Sequence, residues 1–314
     1  MLPSPAEGGP DRRGAVGHST AEHGFMAAPV AQASGAAGSL ADASVSAGGC
    51  FARPLPLDAT CAGAARSLFR EAVAGIGLPG DLVHDGVTMA SELAANTLHA
   101  QGNVEFSGSS QRPVSGFPEL WVYLRGRGSR CEVVCKVFDS QPGWKTGSLP
   151  DVKVRSKEGV NGRGLQVVDG LSAGEWGAHL TRGRLGKWKV SGKAVWFALR
   201  VPPGCDVARF GWPELGPWEA VNELEVMLGG RGLAGRLVRA DEPDAGMSVL
   251  SVSRDLTVWC HSGTASWRAA DGSYPRLPLA DLVDVAEQIV WAHEELRAAA
   301  AAGADGDGDG DGDG

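Results

Sequence analysis

Long apolar runs and a large excess of charge of one sign are both missing from this sequence. No run of 18 apolar residues occurs, so we expect no transmembrane helix. No apolar stretch of 7–15 residues follows Arg12 and Arg13, so we also expect no signal peptide. The net charge is −8, but the aspartates of the C-terminal Gly-Asp repeat leave only about −3 for the rest. We therefore expect a cytoplasmic protein that contacts neither membrane nor nucleic acid directly.

Cysteine is also scarce, with six in 314 residues, which is too few for a disulfide-stabilised scaffold. Cys131 and Cys135 have the spacing of a metal-binding pair, but they occur in a strand-like segment. At about 3.3 Å per residue they would be roughly 13 Å apart, too far to share one zinc ion. We expect both to be small apolar residues on one face of a sheet.

The distribution of small residues divides the chain into four segments. In residues 1–50, 31 of 50 are Ala, Gly, Ser or Pro, and such a segment buries too little apolar surface to order itself. We therefore predict a disordered tail there, and a disordered acidic Gly-Asp tail over 299–314. Between the tails, we predict one domain over 55–202 and a second over 213–298.

Hydrophobic periodicity predicts mixed α and β structure in both domains. In the first domain, Asp58 and Asp81 open two helices, and a short helix follows Gly164. Strands are predicted at 120–124, 131–138, 175–182 and 193–201. In the second domain, a helix over 218–228 precedes strands at 233–239, 247–253, 256–260 and near Trp267, and a helix over 279–297 follows. That domain is a smaller α+β unit without a catalytic constellation.

One predicted helix carries polar residues at a spacing that suits phosphoryl chemistry. Glu92 and Asn96 are four residues apart and therefore lie on one helical face, beside the apolar stripe. An asparagine carbonyl oxygen can bind Mg²⁺ without adding charge, and a glutamate can act as a general base. The same spacing also fits a polar helix flank in water, so this helix alone leaves both interpretations open.

A second candidate is Asp139, which ends a strand-like segment where the chain turns into a loop. A carboxylate there could accept a hydrogen bond from an exocyclic amine such as that of adenine. Aspartate is also common as the first residue of a turn, so a purely local role is the alternative.

A third candidate is the glycine-rich turn Gly162-Arg163-Gly164, which opens a predicted helix. Unpaired N–H groups and the helix dipole bind phosphate in such an arrangement. A Walker A loop would need the pattern GxxxxGK[ST], which neither Gly186-Lys187 nor Gly192-Lys193 provides. The sequence therefore excludes a P-loop NTPase.

The order of these three motifs resembles that of the GHKL ATPase superfamily and, more narrowly, the anti-sigma-factor serine/threonine kinases. The resemblance covers about 55–201 and includes the first-helix segment 64–70 and the closing strand 192–197. It implies a two-layer α/β sandwich of the GHKL (Bergerat) type, with a left-handed βαβ-type ATP pocket on a mixed sheet. The α+β unit over 213–298 lies outside the resemblance.

The resemblance also implies roles for individual residues. Asn96 would be the Mg²⁺ ligand, and Glu92 would be the catalytic base on the attacking hydroxyl. Asp139 would recognise the adenine amine. The other ATP contacts would come from Gly143, Gly162, Arg163, Gly164 and Leu165, with Lys153, Arg155 or Lys157 adding positive charge.

Two positions depart from the family pattern. The usual DxGxG motif becomes Asp139-Ser140-Gln141-Pro142-Gly143, which lacks the middle glycine and predicts a stiffer turn. Ala194 stands where the last strand often has a threonine that shares adenine recognition. Loss of one such hydrogen bond costs about 1 kcal/mol, so we expect weak nucleotide binding.

The resemblance implies an ATP-binding regulatory protein of a bacterial circuit, which transfers phosphate from Mg-ATP to a serine of an antagonist protein. Its partner would be a sigma factor or that antagonist. A non-catalytic ATP-binding interaction module is the alternative, because the adenine turn is altered and the C-terminal unit could carry a partner surface. A histidine kinase fragment is disfavoured, since no phosphoacceptor-histidine helix pair precedes residue 55. The sequence leaves open whether the chain forms a homodimer.

Overall fold

The computed structural model describes residues 45, 48–105, 116–126, 130–141, 163–186, 189–205 and 214–306, which all belong to one compact unit. The predicted α+β class is confirmed, because this part of the chain has two antiparallel sheets and five α-helices. No helix among these residues is long and apolar enough to cross a membrane.

The first sheet has five strands in the spatial order β1-β2-β3-β5-β4. They are β1 (Phe51–Pro54), β2 (Glu119–Arg125), β3 (Glu132–Asp139), β4 (Trp176–Arg182) and β5 (Ser191–Arg200). All four pairings are antiparallel, so the mixed sheet that we expected is wrong for the described strands. The reason is the place of β5, which lies between β3 and β4 and runs antiparallel to both.

Ordered structure begins before residue 55, where the first domain was predicted to start. β1 pairs with β2 along its whole length, from Phe51 opposite Val122 to Pro54 opposite Glu119. Val45 and Cys50 lie inside the segment predicted to be disordered, yet both are buried. They are ordered because each adds an apolar side chain to one of the two cores beside the first sheet.

Three helices pack on one face of the first sheet: α1 (Cys61–Val73), α2 (Gly80–Glu105) and α3 (Arg163–Leu171). α1 and α2 approach each other closely at Gly86, where a Cβ atom would lie 2.4 Å from the Phe69 ring. A larger residue at this position would push the two helices apart. Glycine at position 86 therefore sets the spacing of the helical layer.

Cys131 and Cys135 are apolar core residues on this helix-covered face, as predicted. Both are fully buried among the side chains that pack beneath α1 and α2, and both thiols are free. Burial raises the pKa of the Cys131 thiol to about 11, so it stays protonated at neutral pH.

Residues 214–306 form a second antiparallel sheet with two helices. The elements are α4 (Pro217–Gly230), β6 (Val238–Glu242), β7 (Met247–Ser253), β8 (Leu256–His261), β9 (Thr264–Trp267), β10 (Arg276–Pro278) and α5 (Leu282–Gly306). The strands follow the order β10-β9-β8-β7-β6, so each pairs with its neighbour in the chain. The apolar side chains of α4 and α5 are buried in one core with those of this sheet.

That core extends to the second face of the first sheet. Trp121, Phe138 and Ala198 of this face belong to the same apolar cluster as Leu224 of α4 and Ile289 of α5. Helix α5 contacts β4 and β2 directly. The first sheet is therefore covered on both faces, and the two-layer arrangement implied by the resemblance gains a third layer from the C-terminal unit.

A buried group of charges joins α5 to the first sheet. Glu287 of α5 is almost completely buried. Its carboxylate lies 3.2 Å from Lys136 Nζ and 3.1 Å from an Arg184 nitrogen. The same carboxylate also binds Arg231. We call these four residues the Glu287 cluster. Burial alone would raise the pKa of Glu287, but Arg231, Lys136 and Arg184 hold it well below its ordinary value.

Candidate functional site

Helix α2 carries Glu92 and Asn96 on the edge of its buried face. Both side chains are half-buried, while Leu93 and Ala94 between them are buried against the first sheet. The i,i+4 spacing therefore places a carboxylate and an amide one turn apart, beside the core rather than within it. The sequence predicted this placement from the apolar stripe alone.

The start of α3 lies directly against these two side chains. A Cβ atom on Gly164 would be 2.7 Å from Glu92 Oε2, and 3.4 and 3.5 Å from the Asn96 amide nitrogen and oxygen. Any other residue at 164 would therefore displace the Glu92 carboxylate. The structure brings together two of the motifs that are far apart in the sequence.

The first turn of α3 leaves backbone N–H groups without partners inside the helix, as every α-helix does. These donors and the helix dipole favour an anion at this end of α3, next to Glu92 and Asn96. Arg163, the first residue of α3, is exposed. Leu165 is half-buried and packs against the core beneath α1 and α2.

Asn96 has an unsatisfied buried amide. Its Nδ2 atom is inaccessible to solvent and has no hydrogen-bond partner among the described residues. A buried donor without a partner is uncommon, and this one lies next to Glu92 and the N-terminus of α3.

Asp139 ends β3 and lies on the same face of the first sheet as α2. Strand alternation places it in line with Val133, Cys135 and Val137, which pack beneath α1 and α2. Its carboxylate is nearly buried and already has two partners. Lys193 Nζ lies 2.8 Å from Oδ2, and the Gln141 backbone N–H donates to Oδ1 over 3.0 Å.

The neighbour of Asp139 on this face is Lys193 rather than Ala194. Asp139 and Lys193 are paired across β3 and β5, whereas Ala194 pairs with Phe138 and its side chain lies in the core on the opposite face. The interpretation of Ala194 as a lost adenine contact is therefore wrong. Alternation along β5 turns position 194 away from Asp139.

Gly192 allows β5 to approach the end of β3. A Cβ atom at 192 would lie 2.2 Å from the Asp139 carbonyl oxygen, which no side chain could tolerate. Gly192 and Lys193 therefore both act on the end of β3. Gly192 permits the close approach of β5, and Lys193 reaches the Asp139 carboxylate. From the sequence this pair was considered as a Walker A fragment and as the start of the closing strand, and the cross-strand register was the missing information.

Other predicted contacts fall outside the described residues. Gly143 and Gly162 lie in the segment 142–162, together with the lysines and arginine expected to neutralise phosphate charge. No group of three or more His, Cys, Asp or Glu side chains in the described ranges could hold a metal ion. Magnesium at this site would therefore take most of its ligands from a bound molecule and water.

Comparison with known proteins adds no assignment. No protein-family model matches this chain, and no curated protein matches it. The case for a function therefore rests on the side chains described above.

Proposed function

We propose that this chain is an ATP-binding regulatory protein related to the GHKL anti-sigma-factor serine kinases. The observation that carries the proposal is the contact of Gly164 with Glu92 and Asn96, which joins a phosphate-binding helix start to a base and an amide. Asp139, on the same face of the sheet, supplies an acceptor for the base. These groups occur in the order of the GHKL motifs along the chain.

Each group has a defined task in phosphoryl transfer. The N-terminus of α3 binds phosphate oxygens through its backbone N–H groups. Glu92 accepts the proton of the attacking serine hydroxyl, and Asn96 offers its carbonyl oxygen as a ligand for Mg²⁺. Bound Mg²⁺ supplies charge neutralisation at the phosphates. Because this reaction depends mainly on positioning and electrostatics, few protein groups are needed.

Calorimetric titration with Mg-ATP tests the binding part of the proposal. We expect the wild type to bind and Asn96→Ala to bind at least tenfold more weakly, with no binding by either when Mg²⁺ is removed. Asn222→Ala in α4 is a matched control and should bind as the wild type does. Absence of wild-type binding at millimolar Mg-ATP would refute the proposal.

Phosphate transfer is tested with γ-labelled ATP in an extract of cells that make this protein. We expect label on a serine of a protein partner, and loss of that label with Glu92→Gln, although the variant still binds Mg-ATP. Glu71→Gln, an exposed glutamate on α1, is the control. Equal transfer by Glu92→Gln would contradict the role of Glu92 as base.

A non-catalytic ATP-binding module is the second candidate. The favouring observations are the altered turn after β3, where Gln141 replaces the glycine of the family pattern, and the extra C-terminal unit, which could carry a partner surface. In that case Mg-ATP binds and is recovered intact after long incubation with the extract. Turnover of the nucleotide separates the two candidates.

A further inference from the structure

Lys193 connects two parts of the turn that follows β3. Its Nζ atom lies 2.8 Å from Asp139 Oδ2 and 2.6 Å from the Gln141 carbonyl oxygen. The Gln141 N–H closes the turn by donating to Asp139 Oδ1. Lysine, carboxylate and turn backbone therefore form one hydrogen-bonded unit at the strand end.

This hydrogen-bonded unit holds the shape of a turn that lacks the glycine of the family pattern. The sequence has Gln141 where the DxGxG pattern has its middle glycine, so the turn is shaped by side-chain contacts instead. The side chains of Lys193 and Asp139 are 8% and 3% exposed, which means that the pair is largely removed from water. A charge pair in such surroundings is strongly oriented, because breaking it leaves a buried charge without its partner.

The carboxylate retains acceptor capacity in this arrangement. Two oxygens offer about four lone-pair positions, and Lys193 and Gln141 together occupy two of them. The group can therefore accept one or two further hydrogen bonds. Since an ionised carboxylate has no proton to donate, it selects a ligand atom that carries hydrogen.

We propose that Lys193 is a positioning residue for base recognition: its ammonium group fixes the Asp139 carboxylate so that the remaining lone pairs accept a hydrogen bond from an exocyclic amine of the base. This inference rests on the proposed function, because it requires a nucleotide in the site. It gives Lys193 a part in the amine selectivity expected of Asp139, since a purine without the 6-amino group loses the bond. Lys193 acts through Asp139.

The test compares Mg-ATP with the Mg complex of purine riboside triphosphate, which lacks the 6-amino group. We expect the wild type to bind ATP roughly tenfold more tightly than the analogue, because one hydrogen bond to a charged group contributes about this difference in affinity. Lys193→Met should bring this ratio close to one by weakening ATP binding and leaving the analogue unchanged. Lys193→Arg should keep most of the preference, because a guanidinium can hold the carboxylate.

A double-variant cycle separates positioning from general damage. In an Asp139→Asn background, Lys193→Met should cause no further change in the ratio. Lys189→Met is the matched control, since this partly buried lysine of the same segment donates to the Arg184 carbonyl instead. If Lys193→Met does not fold, Lys193→Gln takes its place, with an intermediate ratio expected because one donor remains.

The outcomes distinguish this inference from the proposed function. Failure of the wild type to bind either nucleotide would overturn the proposed function itself. Binding of both with equal affinity, or an equal loss of both in Lys193→Met, would overturn the role of Lys193 and leave nucleotide binding intact. Loss of the ATP preference alone, with the analogue unaffected, supports the role of Lys193.

Discussion

The two faces of the first sheet use alternate residues of the same strands and bury different chemistry. Along β3, Val133, Cys135 and Val137 face α1 and α2, whereas Lys136 faces α5. The face beneath α1 and α2 carries its charged pair, Asp139 and Lys193, at the end of β3. The face beneath α5 carries the Glu287 cluster at its centre. Polar groups at an edge can take a ligand, whereas central groups must be satisfied by the protein itself.

The central charges join the two parts of the molecule rather than perform chemistry. Glu287 comes from α5, Lys136 from β3, and Arg184 and Arg231 from the segments after β4 and α4. Tyr123 of β2 adds a hydrogen bond of 2.7 Å to Asp284, one turn earlier on α5. Such a network favours the observed docking of α5 on the sheet, because a shifted helix would leave buried charges without their partner.

The largest effect is expected from Glu287→Ala. Removal of the carboxylate leaves Lys136, Arg184 and Arg231 buried without their shared partner, which should lower the free energy of unfolding by about 3–5 kcal/mol. Urea denaturation measures the change, and Glu175→Ala, on an exposed glutamate, should remain within about 0.5 kcal/mol of the wild type. A loss for Glu287→Ala as small as that of the control would mean that the cluster does not hold the two parts together.

A smaller effect, a dependence of stability on pH, is expected from His179, which contacts Lys136 on the face beneath α5. Burial, together with the nearby positive charge of Lys136, lowers the pKa of His179 to about 3. As pH falls below about 6.5, His179 therefore binds a proton in the unfolded state but not in the folded state. This difference lowers the free energy of unfolding by up to about 1.4 kcal/mol for each pH unit. Glu287 contributes little above about pH 5, because it is ionised in the folded state and a glutamate of the unfolded chain is almost fully ionised there too.

Urea denaturation between about pH 7 and about pH 5 checks this prediction. His179→Gln should reduce the slope of stability with pH by the contribution of one histidine, because the amide does not titrate. His84→Gln, at an exposed position of α2, should leave the slope as it is in the wild type. Equal slopes in all three proteins would show that His179 is not held neutral in the folded state.

The smallest effect on stability is expected on the helix-covered face, from Gly164→Ala. The new methyl group would lie 2.7 Å from Glu92 Oε2, but that atom is the mobile end of a side chain and can move away. We therefore expect stability within about 1 kcal/mol of the wild type and loss of phosphate transfer, since Glu92 no longer reaches the hydroxyl.

Gly170→Ala on the same helix is the matched control for this variant. A Cβ atom at 170 would meet nothing within 4 Å, and alanine is the better helix former. We expect unchanged transfer and a gain of up to about 1 kcal/mol in unfolding free energy. Full activity in Gly164→Ala would show that the close contact with Glu92 has no functional role.

Strong periodicity was enough to predict some elements from the sequence. The strand predicted at 247–253 is β7, in which burial alternates along the whole length, with Ser248, Leu250 and Val252 on the buried face. The strand predicted at 233–239 is wrong in its first part, where Ala234–Arg236 form a 3-10 turn and β6 begins only at Val238. The chain is still turning there, since Gly232 has a φ of +79° and Leu233 bonds back to Leu228.

Contacts between distant elements could not be predicted in this way. Glu92, Asn96 and Gly164 were grouped because their motif order resembles a known family, and the structure places them in contact. Lys193 was missed because its partner depends on the register between β3 and β5. Glu287 looked like one more polar residue of an amphipathic helix, and no local pattern indicates three cations from other elements.

The position of α5 along the chain has a consequence for protein synthesis. This helix follows every strand of both sheets, so the ribosome completes both sheets before Glu287 emerges. Until then Lys136 and Arg184 lack the Glu287 carboxylate, and we expect water to solvate them on this face of the sheet. Charges at such places discourage association between nascent chains, as they do on exposed strand edges of mature proteins. The cations that α5 later neutralises would thus oppose aggregation of the newly made sheet until α5 packs on it.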